Sequence, residues 1–298
     1  MIDPAGVRAL AALADHGTVA AASTALGFTP SAVSQQIKRL EANIGEPLTE
    51  QVGRVLRLTP AGHTLVREGS ELITRWADLE ARLPRADQPP SGTITLGAFA
   101  TALRGLCIPA VMALRDRAPK LAVRLSEVEV GPGIDAVRSG RLDACVVHGW
   151  HGLAAPIPAD LLTEDIGVDH TDIALRDDHE LADRDYLTPA DLIDLTWTIQ
   201  PPGTICHRWF QHMFAALGRV PARYWEVGEY ENQLELVRRL NVVALIPRLG
   251  RPECPGIRFV PVKDPEPLRD IAVIWRRGLQ GTQQHQFLTR ALRDAGPR

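Results

Sequence analysis

Through the first eighty residues apolar positions recur every three or four residues, and beyond them short apolar runs alternate with helical patterns. Val7, Leu10, Ala11 and Leu13 mark one side of a helix over residues 2–16. Thr18 suits an N-cap, and Ala20, Ala21, Ala22, Ala25 and Leu26 continue at helical spacing up to Gly27, a residue that closes helices because positive φ costs it nothing. Phe28 and Thr29 then make a turn, and Pro30 fits the first position of a second helix. Residues 31–44 carry the stripe Ala32, Val33, Ile37, Leu40 and Ile44, ended by Gly45. Residues 48–51 and 55–58 predict a small hairpin about Gly53-Arg54. From Thr59, an N-cap followed by Pro60, a longer helix places Leu65, Gly69, Leu72, Trp76, Leu79 and Leu83 at alternating four- and three-residue steps, a heptad seam.

The proline-rich stretch 84–92 (PRADQPPSG) is the clearest domain boundary. After it the pattern predicts a strand over 93–98, a helix from about Thr101 to Arg117, a strand over 121–128, a helix over 134–139 and a buried strand over 143–147. This alternation indicates a parallel sheet with helices on its faces. The second half repeats it: strands over 161–168 and 172–176, a helix capped by Thr188, a strand over 196–200, a helix over 206–217, then further strands and helices to residue 295. Two sheets joined by two crossings make a bilobed domain of the periplasmic-binding type.

The polar side of the second helix carries Ser31, Ser34, Gln35, Lys38 and Arg39. Serine and glutamine hydrogen-bond base edges and phosphates, while lysine and arginine neutralise phosphates or reach guanine. Helix, tight turn, helix with that polar face on the second helix is the geometry that enters a major groove. Arg54 at the hairpin tip is placed to enter a minor groove or clamp the backbone. An ordinary solvated helix face is the alternative. The seam of the long helix calls for a second copy of the chain, or else packs on its own domain.

The run AAASTALGFTPSAVSQQIKRLEANIGEPL followed by GRVLRLTPAG resembles the winged helix-turn-helix of LysR-type transcriptional regulators. Thr49 stands where that family usually has an aromatic residue, and Gln51 where it usually has arginine, removing one expected phosphate contact. The segments GAFATALRGLCIPAVMALRDRAP, VRSGRLDACVV, WFQHMFAALGRVP and LELVRRLNVVALIP resemble the family's regulatory domain, with Asn241 where glycine is common. The resemblance implies an N-terminal all-α winged helix-turn-helix domain (1–62), a dimerising linker helix (63–87) and a C-terminal α/β bilobed, periplasmic-binding-protein-like effector domain (88–298). Lobe I would take about 91–164 and 266–298, and lobe II about 165–265. It also implies DNA contacts from Thr29, Pro30, Ser31, Ser34, Gln35, Lys38, Arg39 and Arg54, a dimer that pairs again into a tetramer, and RNA polymerase as a partner if the regulator activates.

An effector cleft is expected between the lobes. Thr101, with Ala100 before it, opens a helix and offers a hydroxyl and backbone N–H groups as an anion site, where the family carries a ligand-contacting serine or threonine. His148 and Trp150 follow a buried strand. Gln200, Gly203 and Thr204 end a strand and begin a helix, mirroring Thr101, while Glu229 and Glu231 supply negative charge suited to an amine-bearing effector. The expected ligand is thus a small carboxylate- or amine-bearing molecule.

Composition changes little. With 298 residues, 45% hydrophobic and 23% charged, the chain has room for two domains of ordinary globular character. A net charge of −3 and pI near 6.3 do not announce nucleic-acid binding, so that reading rests on the motif and the local patch Lys38, Arg39, Arg54 and Arg57. Early charges (Asp3, Arg8, Asp15) argue against an apolar signal segment, and a cytosolic protein with no membrane partner is expected. No serine elbow, phosphate loop or metal-ligand spacing points to an enzyme, and no cofactor or metal is expected; His148 and His151 lack a third ligand nearby in sequence. Cys107, Cys145, Cys206 and Cys254 contain no CxxC. Cys206 opens a helix, where a thiol pKa can fall, so a redox switch with Cys254 is one alternative. A bilobed solute-binding or enzymatic module with a non-reading dimerisation domain is the other.

Overall fold

The computed structural model describes residues 2–52, 55–82 and 90–297. The chain forms two compact units, one of Met1–Ala86 with Arg138–Arg141 and one of Asp87–Val137 with Leu142–Arg298.

The first unit contains helices α1 (Pro4–His16), α2 (Val19–Leu26) and α3 (Pro30–Ile44), a hairpin of β1 (Thr49–Val52) and β2 (Val55–Leu58), and helix α4 (Pro60–Arg82). The first three helix starts are set by side chains and their ends by glycine. Asp3, Thr18 and Thr29 accept hydrogen bonds from the first-turn amides of Ala5, Ala21 and Ala32. Gly27 and Gly45 end α2 and α3 in the left-handed region, at φ 70° and 82°. Val7, Leu10, Leu13, Val33, Ile37, Leu40 and Leu48 form one buried cluster. Gly6 lets α1 and α3 touch; a Cβ there would lie 2.9 Å from that of Leu40. The hairpin is anchored to α3 by Glu41, whose Oε1 accepts from the Leu48 amide, the Thr49 amide and the Thr49 hydroxyl, each at 2.9 Å. Thr49 therefore supplies a hydroxyl donor to this anchor where the family has an aromatic ring.

In the second unit two parallel sets of strands, one in each half, are joined by antiparallel pairings. Strand β3 (Gly92–Ala98) leads into helix α5, which runs Ala100–Ala102, a π turn at Leu103–Cys107, then Ile108–Arg117. Strand β4 (Leu121–Glu127), helix α6 (Val130–Arg138) and strand β5 (Ala144–Trp150) complete the first half. Then come β6 (Leu161–Arg176), α7 (Pro189–Leu192), β7 (Thr196–Ile199), α8 (Ile205–Met213), β8 (Arg223–Glu226) and α9 (Tyr230–Leu240). The remainder is β9 (Val243–Pro247), β10 (Ile257–Pro261), β11 (Leu268–Arg276) and α10 (Gln283–Ala295). The strand order is β4-β3-β5-β11-β6-β9-β7-β8, with β10 also paired to β6.

Two expected strands, over 161–168 and 172–176, are one strand of 16 residues. Its first part pairs with β11 and its last part with β9 and β10, so it belongs to both lobes. The polar interruption at Asp169 and Asp172 reads as a break in sequence, yet both carboxylates are buried and paired. Asp169 meets Arg269, and Asp172 meets Arg248 and Arg251. Likewise β11 begins at Leu268, ahead of the apolar run from Ile271 that marks it in sequence. Lobe I encloses Leu96, Leu106, Val146 and Trp275; lobe II encloses Trp197, Trp209, Phe210 and Phe214. The lobes also touch where Gly105, in the π turn, meets Gly250; a Cβ on Gly105 would come within 2.4 Å of the Gly250 nitrogen.

Candidate functional site

Helix α3 turns Val33, Ile37 and Leu40 into the core, which leaves Ser31, Gln35, Lys38 and Arg39 exposed on the opposite side and Ser34 half-buried at its edge. Thr29 and Pro30 are exposed at the start of the helix. The Thr29 hydroxyl already accepts from Ala32, so its remaining capacity is as a donor. Arg57 is exposed on β2, while Arg54 lies outside the described residues.

The seam of α4 divides. Leu65 packs partly against the cluster of its own unit, and Gly69 sits against Val7, where a Cβ would meet Val7 Cγ1 at 3.0 Å. Leu65 is thus half-buried against its own domain while its remaining surface borders the seam. Leu72 and Trp76 are 64% and 66% exposed. With Ile2, Leu48 and Leu65 they border an apolar groove of about 740 Å³. Leu83 and the side chain of Leu79 lie outside the described residues.

Between the lobes of the second unit lies a cleft of about 320 Å³, at the carboxyl ends of parallel strands where ligands of open α/β sheets bind. It brings together Ala100, Thr101, His148, Gln200, Thr204 and Glu229 from the sequence expectation, but not Gly203. Gly203 instead serves the turn before α8, at φ 89°. Thr101 is corrected in role. The residue before the helix is Phe99, which makes no side-chain cap, and Thr101 is buried with its hydroxyl accepting from Arg269 Nη2 at 3.2 Å. Thr204 does cap α8, accepting from the His207 amide, while its hydroxyl donates to the Pro201 carbonyl. Glu229 caps α9, accepting from the amides of Glu231 and Asn232. Glu231 reaches across the cleft to Arg104 on α5. Both carboxylates therefore already have partners, Glu229 while still lining the cleft.

The electrostatic centre is Arg269, which the sequence reading missed. It and Asp169 are each 1% exposed. Arg269 donates to Asp169 through Nε at 3.0 Å and through Nη2, and its guanidinium lies 5.3 Å from the centre of the Phe99 ring. Asp169 also accepts from the Leu249 amide, which ties the two lobes' strands to this pair. His148 is 3% exposed and packs edge-on against Phe99 at 4.6 Å. Burial, reinforced by the Arg269 charge, holds its imidazole well below the usual range, so the ring is neutral. Nδ1 of that ring has no hydrogen-bond partner. His151 bonds Asp270. Among the described residues no group of three His, Cys, Asp or Glu is arranged to hold a metal.

Cys206 lines the cleft 3.8 Å from the Tyr230 hydroxyl. Its position at a helix start suggested a lowered thiol pKa, but burial pushes the thiol up, outweighing the Arg269 charge and the Tyr230 hydrogen bond that pull it down. Cys254 belongs to a different cluster, beside Ile257 and Phe259. Besides Arg269, sequence reading missed Phe99, Arg104, Glu127, Glu129 and Tyr230 on the cleft wall. A charge at the head of an apolar strand (LRDIAVIW) is the signal that could have pointed to Arg269.

A helix-turn-helix with a wing, a long helix carrying an apolar stripe, and a two-lobed cleft define a ligand-responsive DNA-binding regulator. The chain belongs to the LysR family of bacterial transcriptional regulators. Residues 5–63 match the bacterial regulatory helix-turn-helix of the lysR family, and residues 87–297 match the LysR substrate binding domain. It is 32% identical over 245 residues to the small neutral protease regulatory protein of Streptomyces coelicolor, covering 80% of this chain and 71% of that one. Its fold is similar to that of a variant of full-length OxyR from Pseudomonas aeruginosa, with a TM-score of 0.76 at 19% identity, covering 99% and 97% of the two chains. Full-length CbnR complexed with its target DNA gives a TM-score of 0.65 at 20% identity, covering 99% and 100%. The protein is thus a DNA-binding transcriptional regulator with an effector-binding domain, and its partners are operator DNA, a small molecule and further copies of itself.

Proposed function

We propose that α3 reads the operator through Gln35 and Ser31, with Lys38 and Arg39 on phosphates, and that Leu72 and Trp76 pair two chains so that two such helices meet a two-fold site. The observation that carries this reading is the clean division of α3, one side locked into the core and the other presenting four polar side chains. Thr29, Pro30, Ser34 and Arg54 complete the proposed DNA contacts. The domain division is 1–62, 63–87 and 88–298. The effector binds between the lobes at Thr101, His148 and Gln200, and it acts by favouring one of two arrangements for which its affinity differs. No catalytic role is assigned to the cleft, and the operator-binding reading supports a cytoplasmic protein. None of the helices among the described residues is long and apolar enough to cross a membrane.

Gln35→Ala should reduce discrimination at one base position by roughly 1–3 kcal/mol, while binding to random duplex barely changes. Lys38→Ala should instead weaken every sequence alike and lower the slope of log affinity against log salt by about 1. Fluorescence anisotropy across a salt series measures both. If Gln35→Ala weakens random and selected DNA equally, glutamine is not the base reader.

A further inference from the structure

The charges lining the cleft do not cancel. Both arginines on its wall are already satisfied, Arg269 by Asp169 and Arg104 by Glu231. Both helix N-termini on the lobe II side are filled by their own side chains, Thr204 on α8 and Glu229 on α9, so neither offers open amides to an anion. Opposite them, Glu127 closes β4 and Glu129 precedes α6, and neither carboxylate has a hydrogen bond or ion pair among the described residues. His148 adds a neutral imidazole that is nearly all buried, lines the same cleft and has an unpartnered nitrogen.

Resting on the effector-cleft reading, we propose that the effector carries a positively charged nitrogen, an alkylammonium or guanidinium, seated against Glu127 and Glu129 with His148 beside it. A neutral imidazole nitrogen accepts a hydrogen bond from such a group, and two adjacent carboxylates supply the counter-charge. An anionic ligand would meet the reverse: no unpaired cation among the described lining residues, and two carboxylates repelling it. Glu127 also acts on Glu129, though burial is the larger influence. Burial and the neighbouring Glu127 push its pKa up, against the downward pull of Arg269. A bound cation offsets both carboxylate charges, so binding should follow ligand charge.

The test is calorimetric titration of the full chain with small ligands of similar size and different charge: benzylamine, benzyl alcohol and benzoate, then agmatine and glutarate. The amines should bind, the alcohol at least about tenfold more weakly, and the carboxylates not at all. Glu129→Gln should weaken amine binding roughly tenfold, leave the alcohol unchanged and keep the melting temperature of the parent protein. A carboxylate binding as tightly as its amine, no amine binding up to about 10 mM, or an unchanged amine affinity in both Glu129→Gln and Glu127→Gln overturns the assignment. Operator binding by the same preparation is measured alongside. Intact DNA binding with a preference for carboxylates removes only the charge assignment and leaves the regulator reading standing.

Discussion

Asp169→Ala is expected to cost the effector-binding domain about 3–5 kcal/mol. The reason is stranding rather than the loss of an attraction. Arg269 is 1% exposed, and without Asp169 its guanidinium keeps only the Thr101 hydroxyl as a hydrogen-bond partner. The Leu249 amide loses its acceptor at the same moment, because the same carboxylate serves both. Urea unfolding followed by tryptophan fluorescence reads the change. Asp169→Leu combined with Arg269→Met should recover much of the loss, since removing both charges leaves nothing stranded. A loss under about 1 kcal/mol for the single variant would mean that water reaches the pair and hydrates the Arg269 charge.

Leu72→Glu together with Trp76→Glu should leave the N-terminal unit folded and abolish pairing of the linker helices. Both side chains are well exposed in the single chain, so their replacement removes little internal packing. In a two-fold dimer the introduced carboxylates would face their copies and repel. Losing the second half-site removes an intramolecular second binding event, so affinity for a two-half-site operator should fall roughly 10²–10⁴-fold, while affinity for a lone half-site is kept. Sedimentation velocity and half-site titrations read the two effects separately. A variant that still sediments as the parent assembly, with operator affinity within about threefold, shows that pairing runs through another surface.

The DNA-reading unit was the more legible part because its signals are local. Thr18, Gly27, Thr29, Pro30 and Gly45 each act on the backbone within a few residues, and the stripe of α3 follows the helix period. The anchor from Glu41 to Thr49 was not legible, since nothing in a pattern of apolar positions says that a glutamate on a helix will accept three hydrogen bonds from a strand. The cleft was only partly legible, for a related reason. Position at strand ends and helix starts pointed to Thr101, His148, Gln200 and Thr204, which the fold does gather. It could not show that Arg269 and Asp169, separated by a hundred residues in sequence, would meet in the interior, or that Glu229 and Glu231 would be occupied elsewhere. Buried ion pairs break the apolar pattern of a strand, so a strand that holds one is read as two, as happened at β6. The thiol of Cys206 shows two opposed effects: a helix start lowers its pKa and burial raises it, and only the fold shows which prevails.

Selection of bound sequences from a random duplex pool by the full chain, followed by footprinting on the best one, tests the DNA-reading claim most directly. Enrichment of a two-fold related site, with protection on one face of the duplex over both halves, is the expected result. A pool that returns no sequence preference at physiological salt, or a preference that Gln35→Ala leaves intact, would contradict it.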